Sequence, residues 1–129
     1  MPRALYLAAG LSLVCGCVLA DKAGRSCKTS HNLVGACFTV HGRLFEAKEI
    51  PRIRIDGTGG RQIFGVLDRQ SMSESTELIP AIVGALLMPA PGVTDVYGDY
   101  EICPFEKDTT GAIRAVCIQN ASHLTARRR

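Results

Sequence analysis

The order of the residue patterns constrains the fold more than any other feature of this sequence. Three short segments that alternate apolar and polar residues come first, one segment with helical spacing follows, and two further strand-like segments come last. A period of two is typical of half-buried strands, whereas apolar residues three and four apart are typical of an amphipathic helix. The pattern therefore predicts a mostly β protein with one short helix.

The alternation also predicts which side chains point inward. Phe38, Val40, Gly42 and Leu44 take the inner positions of the first strand, and the glycine indicates a bulge or a sharp bend. Ile53 and Ile55 take the inner positions of the second strand, and a glycine-rich turn at 57–60 leads into the third. The five predicted strands cover 37–44, 52–56, 63–67, 96–104 and 112–118.

The helical segment lies between the third and fourth strands. A capping box at Ser71–Glu74 and a first-turn proline, Pro80, bracket its start, and Pro89 ends it. Its apolar stripe is Ile79, Ile82, Val83, Leu86 and Leu87, and the opposite face also has no charge. The helix 80–88 therefore either fills one end of a small barrel or docks on a protein or a membrane surface.

A β-β-β-α-β-β order in one domain, with a bent first strand, favours a small five-stranded OB-like barrel. This domain is predicted at 35–126, after a flexible lead-in at 21–34. Residues 127–129 are three arginines and are predicted to form a mobile basic tail.

The first twenty residues have the pattern of an export signal. Arg3 precedes an uncharged apolar run, and cleavage after Ala20 gives a soluble periplasmic protein. The alternative is a lipoprotein signal at 1–16, since 14–17 resembles a bacterial lipidation site with Cys17 as the acylated residue. A membrane anchor in the inner or outer membrane is expected only in that lipidated form. An uncleaved membrane helix is the third alternative.

Four of the six cysteines lie beyond the signal, and an oxidising compartment favours two disulfides among them. Four cysteines permit three connectivities. Cys103 and Cys117 are symmetric about a predicted turn at Thr110, which favours this pair and leaves Cys27 with Cys37. Four free thiols or a metal site is the alternative.

Three segments carry a family resemblance. The segments at 37–44 (CFTVHGRL), 96–105 (VYGDYEICPF) and 115–118 (AVCI) resemble a group of short exported proteins of Gram-negative bacteria. The resemblance covers most of the chain after the signal and implies a periplasmic or envelope location. It implies no activity, ligand or site residues.

The charge distribution indicates a binding face. Residues 21–69 contain nine Lys or Arg against five Asp or Glu, so this half is the basic one. The outward side chains predicted on the first three strands form a basic patch, and the candidate ligand-binding residues are His41, Arg43, Arg52, Arg54 and Arg61. Such a patch suits an anionic envelope polymer, such as a phosphorylated or glycan polymer, or a lipid head group. The alternative is a solvated face that blunts the strand edges.

Other functions are less well matched by the sequence. Nucleic acid is not expected, because the predicted face lacks interleaved aromatic residues and the chain is exported. No catalytic residue, metal ligand or cofactor is predicted, since the histidines lack metal-ligand spacing and no G-x-S-x-G occurs. We therefore expect a non-enzymatic module. The alternatives are a protein-interaction or envelope-assembly lipoprotein that uses helix 80–88, and a hydrolase with His41 as its one candidate base.

Overall fold

A computed structural model describes residues 27–60, 62–67, 79–109 and 111–129. The predicted signal peptide, the lipidation candidate Cys17, the ligand-binding candidate Arg61 and the capping box at Ser71–Glu74 lie outside these residues. Within them, no helix has the length and apolar content needed to cross a membrane.

The described chain is mostly β, as predicted, with five strands in one sheet and one α-helix. A short 3-10 helix at Cys27–Thr29 precedes the sheet. The elements that follow are β1 (Phe38–Glu46), β2 (Ile53–Gly57), β3 (Ile63–Val66), α1 (Ala81–Leu87), β4 (Thr94–Pro104) and β5 (Arg114–Arg128).

The strand pairings form a closed cycle in the order β1-β2-β3-β5-β4, with β4 paired back to β1. The pair β3 and β5 is parallel, and the other four pairs are antiparallel. Closure gives every strand of this sheet two neighbours, so none is an edge strand along its whole length.

Apolar side chains from every strand fill the inside of the closed sheet. Val40 and Leu44 of β1 and Ile53 and Ile55 of β2 point inward, so the predicted alternation is confirmed in both strands. The fully or nearly buried core comprises Leu44, Ile53, Ile55, Phe64, Val66, Ile79, Val83, Leu87, Val96, Tyr100, Ile102, Val116 and Ile118. The outward side chains of β1 and β2 are therefore available for a surface function.

Helix α1 covers part of this core with one face only. Ile79, Val83 and Leu87 are buried in the core cluster, whereas Ile82, predicted in the same stripe, is 59% exposed. The prediction was wrong for Ile82 because the helix packs mainly on β4 and β5 and leaves its other side open. The exposed side contains Ile82 and Met88, and the latter is 72% exposed.

Strand β5 is longer than the predicted segment 112–118. Its second half continues along β4, with Ser122 opposite Asp99 and Arg127 opposite Asp95. Arg127 and Arg128 therefore belong to the sheet, and the backbone N–H of Arg129 donates to the Val93 carbonyl at 2.7 Å. The predicted mobile tail is instead the ordered end of a strand.

The two predicted disulfides are confirmed, but the predicted pairing is wrong. Cys27 is bonded to Cys117, and Cys37 is bonded to Cys103. Cys103 and Cys117 do lie opposite each other on β4 and β5, as the symmetry about the turn suggested. Each is nevertheless bonded to a cysteine that precedes β1.

The reason is that residues 27–37 lie against the β4–β5 hairpin. Lys28 forms an ion pair with Glu101 at 3.3 Å, and the Val34 backbone N–H donates to the Pro104 carbonyl at 3.0 Å. This part of the predicted flexible lead-in is thus fixed at several points. The sulfur atoms of Cys27, Cys103 and Cys117 lie within 4.8 Å of one another, but all three are in disulfides and are not thiolate ligands for a metal.

Candidate functional site

The outward residues of β1 are the centre of the candidate site. Thr39 and His41 are exposed and Arg43 is half-buried, so the predicted outward set of β1 is confirmed. On the neighbouring strand, Arg54 also points outward, opposite Phe45 of β1. Arg52 precedes β2 and is exposed.

Arg43 is already engaged within the protein. Its guanidinium lies 3.3 Å from the Asp95 carboxylate and 3.7 Å from that of Asp56, and it stacks 4.5 Å from the centroid of the Phe45 ring. Two carboxylates therefore balance the charge of this arginine. Arg43 contributes to the shape of the face rather than to its net positive charge.

The charge of Arg54, unlike that of Arg43, is not balanced by a carboxylate of the described residues. Its Nε donates to the Pro51 carbonyl at 2.9 Å, and a longer contact of 3.5 Å reaches the Glu49 carbonyl. These neutral acceptors orient the guanidinium without cancelling its charge. Among the described residues, Arg54 has no ion-pair partner.

The end of β5 brings two further arginines to the same face. The Arg127 guanidinium lies 5.5 Å from the centroid of the Tyr97 ring on β4. Arg129 Nε forms an ion pair with Asp95 Oδ1 at 3.0 Å and its Nη2 donates to the Gly92 carbonyl at 2.8 Å. The Asp95 carboxylate, which is only about 5% exposed, is thus held between Arg43 and Arg129.

We call the resulting surface the Arg–aromatic face, which consists of Arg43, Phe45, Arg54, Tyr97 and Arg127. The sequence predicted two of these arginines but not the rest. Tyr97 and Arg127 reach the site only because β5 continues along β4, and this pairing has no local sequence signal. The expectation that the face lacks interleaved aromatic residues is wrong, since Phe45 and Tyr97 lie between the arginines.

His41 belongs to a different cluster on the same side of the sheet. Its Nδ1 contacts Asp99 Oδ1 on β4, and His123 Nδ1 of β5 lies 2.9 Å from Asp99 Oδ2. The hydrogen bond with His41 is the main cause that lowers the pKa of Asp99, with His123 contributing and burial acting in the opposite direction. His41 is therefore not an independent part of a basic patch.

A shallow groove of about 340 Å³ opens beside His41. It lies between the first half of β1 and the β2–β3 turn, and its lining includes Thr39, Thr58, Gly60 and Gln62. None of its lining residues is Lys or Arg within the part of the chain that the structure describes. The cations of this surface lie farther along β1, on the Arg–aromatic face.

The chain was compared with protein-family models, with curated proteins and with solved structures, and none of the three comparisons found a match.

Proposed function

We propose that this protein is an exported, non-enzymatic OB-like binding module that holds an anionic ligand on the Arg–aromatic face. The observation that carries the proposal is the interleaving of Arg43, Arg54 and Arg127 with the rings of Phe45 and Tyr97. Guanidinium groups bind carboxylate and phosphate through paired hydrogen bonds, and a partner ring holds the guanidinium plane in place.

Strand order supports the OB-like part of the proposal. The cycle β1-β2-β3-β5-β4, the parallel β3–β5 pair and a helix between β3 and β4 suit a five-stranded Greek-key barrel. Small barrels of this kind bind oligomeric ligands on an outer strand face. The charge of this face, rather than the fold, indicates the class of ligand.

The disulfides and the N-terminal pattern support export. Structural disulfides persist in the periplasm and are rare in the cytosol, and two are present here. The predicted export signal at 1–20 and the sequence resemblance to exported Gram-negative proteins favour the same compartment. An anionic polymer of the cell envelope is accordingly the proposed ligand class, and nucleic acid is disfavoured by location alone.

Charge reversal at the two arginines that have no ion-pair partner tests this proposal. Arg54 and Arg127 have no ion-pair partner among the described residues, so R54E/R127E reverses charge on the Arg–aromatic face without breaking an ion pair. Each charge-assisted contact is worth about 1.5 kcal/mol or more, so together they account for roughly a hundredfold in affinity. We expect that loss for long-chain inorganic polyphosphate, measured by fluorescence anisotropy at low salt.

The matched control is K28E/K107E, which makes the same change in net charge outside the Arg–aromatic face. Lys107 is exposed in the β4–β5 loop, and the ammonium group of Lys28 forms a surface ion pair with Glu101. This control should lose no more than a few-fold in affinity. Equal losses in the two double variants, with both folded by circular dichroism, would show that net charge and not this face binds the polymer.

A protein-interaction role of α1 is the second candidate, and the exposure of Ile82 and Met88 favours it. Ala85 lies on the same open side of the helix and is exposed. A photoreactive residue at position 85 should then crosslink to an envelope protein, and I82S/M88S should abolish that crosslink without unfolding the domain. An unchanged crosslink in the folded variant would remove this candidate.

A further inference from the structure

The side chains of His41, Asp99 and His123 come from three neighbouring strands and meet at one level of the sheet. His41 of β1 is the register partner of Asp99 on β4, and Asp99 lies opposite Ser122 of β5, next to His123. Both imidazoles direct Nδ1 at the same carboxylate, one at each oxygen. These residues lie 58 and 24 positions from Asp99 in the sequence, so only the fold brings them together.

A bulge in β5 is what directs His123 to this place. Tyr97 pairs with Thr125 and Asp99 with Ser122, so β5 has one more residue than β4 between these two pairs. His123 has a φ of 53°, and it is the only non-glycine residue with positive φ in the described part of the chain. Bulges of this type normally have glycine at such a position, and they occur next to functional sites, where they redirect a side chain.

The neighbouring residues fit this bulge. Leu124 packs against the core, which leaves Ser122 and His123 as two consecutive outward residues. Gly98 lies opposite, where any Cβ would come within 2.8 Å of the Ser122 carbonyl oxygen. A histidine thus occupies a backbone conformation that glycine adopts more easily. What histidine adds over glycine at this position is the imidazole beside Asp99.

We infer that His41, Asp99 and His123 bind a divalent transition-metal ion of the Zn²⁺ class. Two imidazoles and one carboxylate form a donor set that such ions prefer, and three protein ligands leave further positions open to water or to a ligand. This inference does not depend on the Arg–aromatic face or on the proposed function.

The charge and exposure of the three groups suit a surface site of this kind. Both Nδ1 atoms contact the carboxylate, so the rings must exchange these contacts for bonds to a shared ion. The imidazoles are 75% and 82% exposed, so each ring can rotate for this without disturbing the core. Among the described residues, the ion-pair partners of Asp99 are these two histidines and no Lys or Arg. A divalent cation bound there would therefore meet no lysine or arginine of the described segments competing for the carboxylate.

The test is titration of the full-length, oxidised protein with ZnCl₂ by isothermal calorimetry. We expect one Zn²⁺ per chain, and we expect H41A, D99N and H123G each to weaken binding about tenfold or more. Losses of that size are typical even when a residue that only hydrogen-bonds to a metal ligand is replaced. H123G is the decisive variant, because glycine relieves the positive φ and should raise the melting temperature while it weakens metal binding. Lost binding in H123G therefore cannot be ascribed to unfolding.

His31 provides the matched control, since it is exposed and lies outside the cluster. H31A should bind Zn²⁺ as the unaltered protein does, and Co²⁺ should give a visible absorption band that disappears in H123G. The inference is overturned if the unaltered protein binds no Zn²⁺, if H123G and H41A bind it as tightly as the unaltered protein, or if H31A weakens binding as much as they do.

Discussion

Tyr100 places a hydroxyl group inside the apolar core. Its side chain is fully buried, and its hydroxyl donates to the Val96 carbonyl at 2.6 Å. Burial raises the pKa of this hydroxyl far above its usual value, because the phenolate would be formed away from water. The raised pKa means that the folded state holds its proton at pH values where the unfolded chain loses it.

This difference predicts that the folded protein loses stability as the pH becomes alkaline. Above a pH of about 10, the unfolded state binds fewer protons than the folded state, so the free energy of unfolding falls as pH rises. Tyr100→Phe should cost about 1 kcal/mol at pH 8, from the lost hydrogen bond, and should show a smaller fall between pH 9 and pH 11. Urea unfolding at the three pH values measures both effects.

Tyr97→Phe is the control, because it removes the hydroxyl of a tyrosine that is 40% exposed. It should leave the stability at pH 8 within about 0.5 kcal/mol of the unaltered protein and retain the alkaline fall. A Tyr100→Phe variant with the full alkaline fall would contradict the assignment of that fall to Tyr100.

At the scale of the elements, local patterns predicted some features and missed others. The inward alternation of β1 and β2 was readable because one face of each strand meets a dry core, which forces a period of two. The second half of β5 was missed because its residues from Gln119 onward are half-buried or exposed on both faces, so no alternation is imposed. Tyr97 and Arg127 could not be assigned to one site without that half of the strand.

The disulfide pairing was missed for a different reason. Symmetry about the turn correctly places Cys103 opposite Cys117, but the pairing depends on the path of residues 27–37, which have no periodic pattern. That path supplies Cys27 and Cys37 on the outside of the hairpin. The predicted pairing is therefore an alternative connectivity that the same fold places within reach.

This proximity predicts a disulfide exchange in the variant Cys27→Ser. The freed Cys117 thiolate lies within 4.8 Å of the Cys103 sulfur and can attack it, forming the Cys103–Cys117 bond and releasing Cys37 as a thiolate that takes up a proton. No oxidant or reductant is needed. After incubation at pH 8, acid quenching and alkylation, peptide mapping should find label on both Cys37 and Cys117.

The mirror variant Cys37→Ser tests the same geometry from the other disulfide. Its freed Cys103 should attack Cys117 and release Cys27, so label should be found on Cys27 as well as Cys103. Label confined to Cys117 in the first variant and to Cys103 in the second would show that the sulfurs do not exchange.

At the scale of the whole molecule, the segments at both ends of the described sheet are attached to strand β4 by side-chain contacts or disulfides. The segment before β1 is attached to the β4–β5 hairpin by the disulfides, and the last residue is attached to the opposite end of β4. Arg129 reaches Asp95 and the Gly92 carbonyl, and it makes a longer contact of 3.4 Å with the Glu46 carbonyl at the end of β1. One side chain thus connects the start of β4 with the ends of β1 and β5.

Arg129→Ala should therefore destabilise the protein, although it changes the final residue of the chain. Removing one partner of a buried carboxylate is strongly unfavourable, but Arg43 stays 3.3 Å from Asp95 and Arg129 is 42% exposed, so we expect about 2 kcal/mol. Arg128→Ala is the matched control, since Arg128 is exposed, and it should change stability by less than about 0.5 kcal/mol. Urea unfolding at pH 7 compares the two.

A mobile tail would make the two variants indistinguishable, whereas the ordered strand end requires that only Arg129→Ala lowers the unfolding midpoint. Adding Asp95→Asn to Arg129→Ala should recover part of the loss, because the carboxylate that needs the guanidinium is then neutral.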